Sequence, residues 1–175
     1  MTSRDTVIPV IETARLTLRG PLDTDAGPLA AFLTSPRAEW IGGPCPDEDA
    51  AEWLDWQRGQ WAQFGRGSWI AALKGSDTPI GRVGLLDHEG WHEPELAWFL
   101  FEGFEGQGYA HEAALAARAY TNGPLGLPPL FSFIEAANHR SRALVQKLGA
   151  QHESDTRFKD HDFGIYRHPA PKGSR

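Results

Sequence analysis

Apolar and polar residues alternate over Arg15 to Arg19 (Arg-Leu-Thr-Leu-Arg), the period of a half-buried strand. Residues 22–34 follow a helical period, with Leu29, Phe32 and Leu33 on the apolar side and Asp23 or Thr24 available as a cap. Three prolines and two glycines between Ser35 and Pro46 predict a loop. From Asp47 to Phe64 the period is helical again, with Trp53, Trp56, Trp61 and Phe64 read as one face. Asp47, Glu48 and Asp49 suit the positive end of that helix. Three strands are predicted next: Ser68 to Leu73, Ile80 to Leu86 and Glu95 to Phe101, separated by turn residues. Alanine-rich Tyr109 to Asn122 reads as a helix stopped by Asn122-Gly123-Pro124. Leu130 to Ile134 reads as a buried strand, and His139 to Leu148 as a helix capped by Asn138 and ended by Gly149. Gln151 to Tyr166 reads as two strands about Lys159-Asp160-His161.

The order is β-α-α-β-β-β-α-β-α-β-β, a mixed α/β fold with an antiparallel meander followed by a parallel crossover. The 175 residues fit a single domain, with no repeat, linker or composition shift dividing residues 1–175. The longest apolar run, Leu96 to Phe101, is far shorter than the ~20 residues of a membrane helix. The opening residues lack the pattern of a signal peptide. A cytoplasmic location is expected. Cys45, the single cysteine, excludes an internal disulfide. A formal charge of −6 argues against nucleic acid as a partner and modestly favours a cationic substrate.

Two stretches could carry chemistry. Glu105-Gly106-Gln107-Gly108-Tyr109-Ala110 lies between a strand and a helix, where two glycines and a helix start can present amides to a phosphate. His111 stands where a dinucleotide fingerprint needs a third glycine, and the Gly-Lys-Ser/Thr ending of a P-loop is missing. Asn138 and Ser141, three apart, open a later helix and can face one cleft. Taken singly, the glycines are also ordinary turn formers and Asn138 an ordinary cap. His88-Glu89-Gly90-Trp91-His92 matches the zinc-peptidase string, but Gly90 and Pro94 predict a turn, so no metal is expected.

Together these motifs resemble the GCN5-related N-acetyltransferases (GNAT), and within them the branch of ribosomal-protein N-terminal acetyltransferases. Strand-Glu105-Gly106-Gln107-Gly108-Tyr109-Ala110-helix is followed by Ala137-Asn138, Ser141 and Lys147-Leu148-Gly149. Glu12 to Arg19 is similar to that branch's first strand and Ile80 to Leu85 to its third. The likeness spans about residues 11–167. It implies a mixed, mostly antiparallel sheet splayed between the fourth and fifth strands, and acetyl-CoA as co-substrate. It places the pyrophosphate on the amides of Gly106 to Ala110 and the pantetheine arm beside Phe99 and Leu100. Asn138 would hydrogen-bond that arm. Glu105 departs from the Gln or Arg usual there, and its side chain is expected to point to solvent.

The implied reaction is direct transfer of acetyl to a primary amine, either a protein N-terminus or a small molecule, in a ternary complex. An ammonium must lose a proton before it attacks. Glu95 is the candidate base, with Asp87, His88 and His92 as competitors. Val145 stands where many relatives place a tyrosine, which leaves the Ser141 hydroxyl to assist the departing thiolate. Trp40 and part of the tryptophan stripe are either core or acceptor pocket. Asp47, Glu48, Asp49, Glu52 and Asp55 are either a solvated helix face or an attractor of cations. The alternative function is a degenerate acyl-CoA-binding sensor. The acceptor's identity is not legible, nor is the oligomeric state, for which a homodimer is one option.

Overall fold

The twelve elements alternate as the hydrophobic pattern predicts, with one extra strand at the start. A computed structural model describes residues 7–45 and 49–171. Its strands are β1 (Ile11–Glu12), β2 (Leu16–Arg19), β3 (Ser68–Leu73), β4 (Pro79–Leu86), β5 (Glu95–Leu100), β6 (Phe131–Glu135), β7 (Gln151–Phe158) and β8 (His161–Arg167). Its helices are α1 (Ala26–Leu33), α2 (Ala50–Phe64), α3 (Tyr109–Asn122) and α4 (His139–Lys147). All eight strands form one sheet in the order β1-β2-β3-β4-β5-β6-β8-β7. Every pairing is antiparallel except β5 with β6.

Several boundaries differ from the sequence reading for local reasons. β1 has two residues, too few to show alternation. The helix predicted over 22–34 opens as a 3-10 turn at Asp23–Asp25, because Asp25 turns inward to Arg19 at 2.8 Å. The predicted loop holds a second 3-10 turn, Pro36–Ile41, started by proline and capped by Ser35. Asp47 and Glu48 lie outside the described residues.

α2 corrects the reading of the tryptophan stripe. Its core face is Leu54, Gln57 and Trp61, one helical turn apart. Gln57 Nε2 and Trp61 Nε1 both donate to the carbonyl of Ser68, at 3.1 and 2.8 Å, which docks the helix on β3. Trp56 and Phe64 are exposed, and Trp53 is half-buried.

α1 and α2 cover one face of the sheet, where Phe32, Leu54, Ile70 and Phe99 pack together. α3 covers the other, its Ala113, Ala114 and Ala117 fitting closely against Leu85 and Leu96. α4 joins that face through Val145, packed with Ile134 and Tyr166.

The parallel pair β5 and β6 shares a single register position, Glu95 with Phe131, and then diverges. A buried hydrogen-bond chain closes the joined end. Ser132 Oγ donates to the carbonyl of Leu96 at 2.6 Å and lies 2.9 Å from His168 Nε2. The hydroxyl proton is committed to Leu96, so the ring nitrogen is the donor to Ser132. His168 Nδ1 then accepts from Arg118 at 3.3 Å. Burial, aided by the cations Arg118 and Arg167, lowers the His168 pKa to about 4.

Candidate functional site

The splay begins immediately after Glu95, and its open side is main chain. Phe101 donates to Ile80 across the β4–β5 ladder, so odd-numbered residues of β5 spend their backbone groups on β4. By the same alternation Trp98 and Leu100 turn their N–H and C=O toward the gap. Phe99, named with Leu100 in the sequence reading, instead bonds into the ladder and stacks its ring on Phe32 at 4.3 Å. The contribution of Trp98 went unread because strand parity is fixed by the partner strand.

At the wide end of the gap the chain turns into α3 through two left-handed glycines, Gly106 (φ 73) and Gly108 (φ 83). A side chain at either φ is strained, which is why glycine stands there. Gly108 caps the helix with no side-chain acceptor. The first-turn amides have no preceding turn to bond, so they point outward with the positive helix end behind them. Arg15 braces this turn. It donates to the Gln107 carbonyl at 2.9 Å and to Glu112 at 2.7 Å, and lies over the Tyr109 ring at 4.5 Å. Burial works to raise the Glu112 pKa, but hydrogen bonds from Thr13 and Arg15 hold it below the usual carboxylate value. The Gln107 side chain is itself occupied, donating to Gly103 at 3.0 Å.

Glu105 does not point to solvent as expected. Its carboxylate accepts from the Gly103 amide at 2.9 Å and pairs with Arg37 from the second 3-10 turn. Arg37 also donates to the Leu100 carbonyl at 3.0 Å. The negative charge beside the nest is therefore answered by a cation from another segment. No local signal in the sequence announces that partner.

Across the gap, Asn138 caps α4 by accepting from the Ser141 amide at 3.1 Å. Asn138 and Ser141 both line the central cleft. Val145 is fully buried, so that position serves packing and a tyrosine there would have to displace core.

On the α1–α2 face lies Glu95, 7% exposed. Its Oε2 is 2.8 Å from His88 Nε2, and its Oε1 accepts from the Phe133 amide at 3.1 Å. Asp87 is bound twice by Arg66, at 2.6 and 3.0 Å. His88 lines the cleft with Glu95. The His88–His92 string sits in the β4–β5 connection, not on a helix, so its histidines lack the one-turn spacing of the zinc-peptidase motif. Among the described residues, no group of three potential ligands is placed to hold a metal ion. Trp91 packs on Phe131 and Phe133, and Phe133 stacks on Phe163 at 4.2 Å, which makes an aromatic wall. Trp40, Trp53 and Trp56 line the opposite wall. Of the nearby acids, Asp49 caps α2 and Asp55 pairs with Arg58, while Glu52 lines the cleft.

One residue of this face was read only as part of a strand. Arg82 is 5% exposed and lines the cleft between Trp53 and Phe99, with ring centres 5.6 and 5.1 Å from its guanidinium. Burial lowers its pKa to about 10, against the opposing pull of Glu95. The cleft, about 2030 Å³, runs from the glycine nest past Asn138 and Ser141 to Glu95 and Arg82.

Comparison with known proteins accords with this geometry. Residues 15–151 match the family model of the acetyltransferase (GNAT) domain. An acetyltransferase from Agrobacterium tumefaciens str. C58 is 33% identical, over 93% of this chain and 95% of that one, with a TM-score of 0.82. A GNAT-family acetyltransferase from Bacillus anthracis is 20% identical over 91% and 97%, with a TM-score of 0.78. The ribosomal-protein-S5-alanine acetyltransferase from Vibrio fischeri shares the fold at 14% identity, covering 96% and 100%, with a TM-score of 0.73. No curated protein matches significantly. The chain belongs to the GNAT acetyltransferase family, whose members use acetyl-CoA as co-substrate. Among the described residues, no helix is long and apolar enough to cross a membrane.

Proposed function

We propose that this chain is an acetyl-CoA-dependent N-acetyltransferase acting on a primary amine by direct transfer in a ternary complex. The observation that carries the reading is one continuous cleft with an anion nest at its wide end and a buried carboxylate at its closed end. The residues present fit the co-substrate. The amides of Gly106 to Ala110 suit a pyrophosphate, and the backbone groups of Trp98 with the Leu100 N–H, turned to the gap, suit an amide-bearing arm, the Leu100 carbonyl being taken by Arg37. Asn138, its Oδ1 committed to the cap, retains its Nδ2 donors for that arm. When bound, acetyl-CoA supplies an acetyl group activated as a thioester.

Glu95, oriented by the Phe133 amide and His88, takes one proton from the substrate ammonium, directly or through a water. The freed nitrogen pair forms the new C–N bond as the C–S bond breaks and its electrons leave with sulfur. The second nitrogen proton ends on that sulfur. Ser141 hydrogen-bonds the departing thiolate. The Arg37–Glu105 pair weakens the argument for a degenerate sensor, because the carboxylate beside the nest is neutralised.

The test is a thermal-unfolding series with acetyl-CoA, matched to NAD, followed by thiol release with a panel of amines. Acetyl-CoA at ~100 times its Kd adds roughly 2.7 kcal/mol and moves Tm by several degrees. A selective shift and amine-dependent thiol release are expected. A shift without thiol release identifies a sensor, and no shift at millimolar acetyl-CoA overturns the reading.

A further inference from the structure

Two arginines of this sheet are buried, and the chain treats them differently. Arg19, 8% exposed, is held by Asp25 through two contacts of 2.8 and 3.0 Å and by Asp77 at 2.7 Å. Arg82, 5% exposed, makes no side-chain ion pair or hydrogen bond to any described residue, and its buried Nε is unsatisfied. A buried cation without a hydrogen-bonded counterion is costly, and among the described residues Glu95 acts on Arg82 only through its charge, so the arrangement implies a hydrogen-bonding counterion from outside the fold.

The surroundings define that counterion. Trp53 and Phe99 contact the guanidinium through their faces. Such contacts satisfy its charge in part but none of its N–H donors. Those donors lie in a plane with the fork geometry of a carboxylate. Arg82 pairs with Phe99 across the ladder, and Leu86 pairs with Glu95. By strand alternation both charged side chains stand on the α1–α2 face, away from the anion nest of α3. Their strand positions are four residues apart, about 13 Å along the backbone, yet the side chains approach closely enough for Glu95 to pull on the Arg82 charge. Glu95 is occupied by His88 and the Phe133 amide and leaves the Arg82 N–H donors without a hydrogen bond from it. The acceptor end of the cleft therefore has a negative pole at Glu95 and a positive pole at Arg82 whose buried Nε has no acceptor.

We propose that Arg82 binds a carboxylate of the acceptor, so the amine acetylated here carries its own carboxylate a few bonds away. This rests on the reading of the cleft as an acetyl-transfer site and narrows its substrate class to amino acids or chains that begin with an acidic residue. The ammonium lies toward Glu95 and the carboxylate toward Arg82. An uncharged analogue leaves the arginine buried and unpaired, which is the basis of discrimination.

The experiment compares matched acceptors on the intact protein with acetyl-CoA present. One arm sets each free α-amino acid against its α-amide. The other sets peptide amides beginning with Asp or Glu against those beginning with Asn or Gln. In at least one arm the acid is expected to exceed its amide on the order of 100-fold in kcat/KM, mostly through KM. The arm that shows it identifies the source. Arg82→Met collapses the acid-to-amide ratio toward one, and Arg82→Lys restores part of it. A purely structural arginine would depress both members of each pair alike and leave the ratio standing. The acetyl-CoA thermal shift checks that each variant is folded, and the wild-type ratios decide the question even where a variant fails. Equal use of acids and amides, or acetylation of simple amines alone, overturns the inference and leaves the proposed function intact. Absence of both the acetyl-CoA shift and thiol release overturns the two together.

Discussion

The two ends of the cleft are made of different material. At the α3 end the proposed binding groups are backbone amides from Gly106 to Ala110, consecutive in the chain, set by two left-handed glycines. At the Glu95 end they are side chains from α2, β4, the β4–β5 connection, β5, β6 and β8, brought together only by the sheet. A main-chain site depends on local conformation and tolerates most side chains. A side-chain site depends on tertiary packing and changes with single substitutions. The first kind suits a co-substrate shared by a whole family, and the second suits an acceptor that differs between members.

The largest effect should come from the side-chain end. Glu95→Gln is expected to lower kcat by about 10²- to 10⁴-fold, the usual worth of a positioned base, while the Kd for acetyl-CoA is unchanged. An unchanged pH–rate profile in that variant would move the base role to His88.

A smaller effect should come from the buried hydrogen-bond chain where β5 and β6 join. The folded His168 pKa, about 4, is below the ~6.5 of an unfolded histidine. The unfolded state therefore binds the extra proton first, and stability falls as pH drops from about 6.5 toward 4. The full loss is about 3 kcal/mol. Thermal melts across that window should show the slope, and His168→Gln should flatten it. A slope identical in both proteins would assign the acid sensitivity to other groups.

At the main-chain end, Gly108→Val forces a branched side chain into a left-handed position at a cost of about 1–2 kcal/mol. Its Kd for acetyl-CoA should rise by at least about tenfold, with acceptor KM unaffected. If acceptor KM moved instead, the division of the cleft into two ends would be wrong. Ser141→Ala should have the smallest effect, a loss of about tenfold in kcat, the low end for one hydrogen bond to a charged group. Full turnover in that variant would remove Ser141 from the reaction.

The same contrast explains what could be read from the sequence. β3 and α3 have the bounds that pattern predicted, Ser68–Leu73 and Tyr109–Asn122, because both are long, periodic and ended by turn residues. The glycine nest was legible for the same local reason. The tryptophan stripe stayed open between core and pocket because periodicity does not distinguish a cleft wall from a core; Trp61 is core, while Trp53 and Trp56 line the cleft. Arg82 carried no signal in Ile80-Gly81-Arg82-Val83, since its meaning lies in the carboxylate it lacks. The Arg37 partner of Glu105 is 68 positions away and belongs to a turn read as loop.

The central claim is direct transfer from acetyl-CoA to an amine within this one cleft. Its most direct test is a single-turnover experiment with radiolabelled acetyl-CoA and stoichiometric protein, with and without amine, followed by gel filtration. The account predicts no label on the protein alone and, with amine, one free thiol for each N-acetylated product. Label retained on the protein, at Cys45 or elsewhere, or thiol release independent of amine, would contradict it.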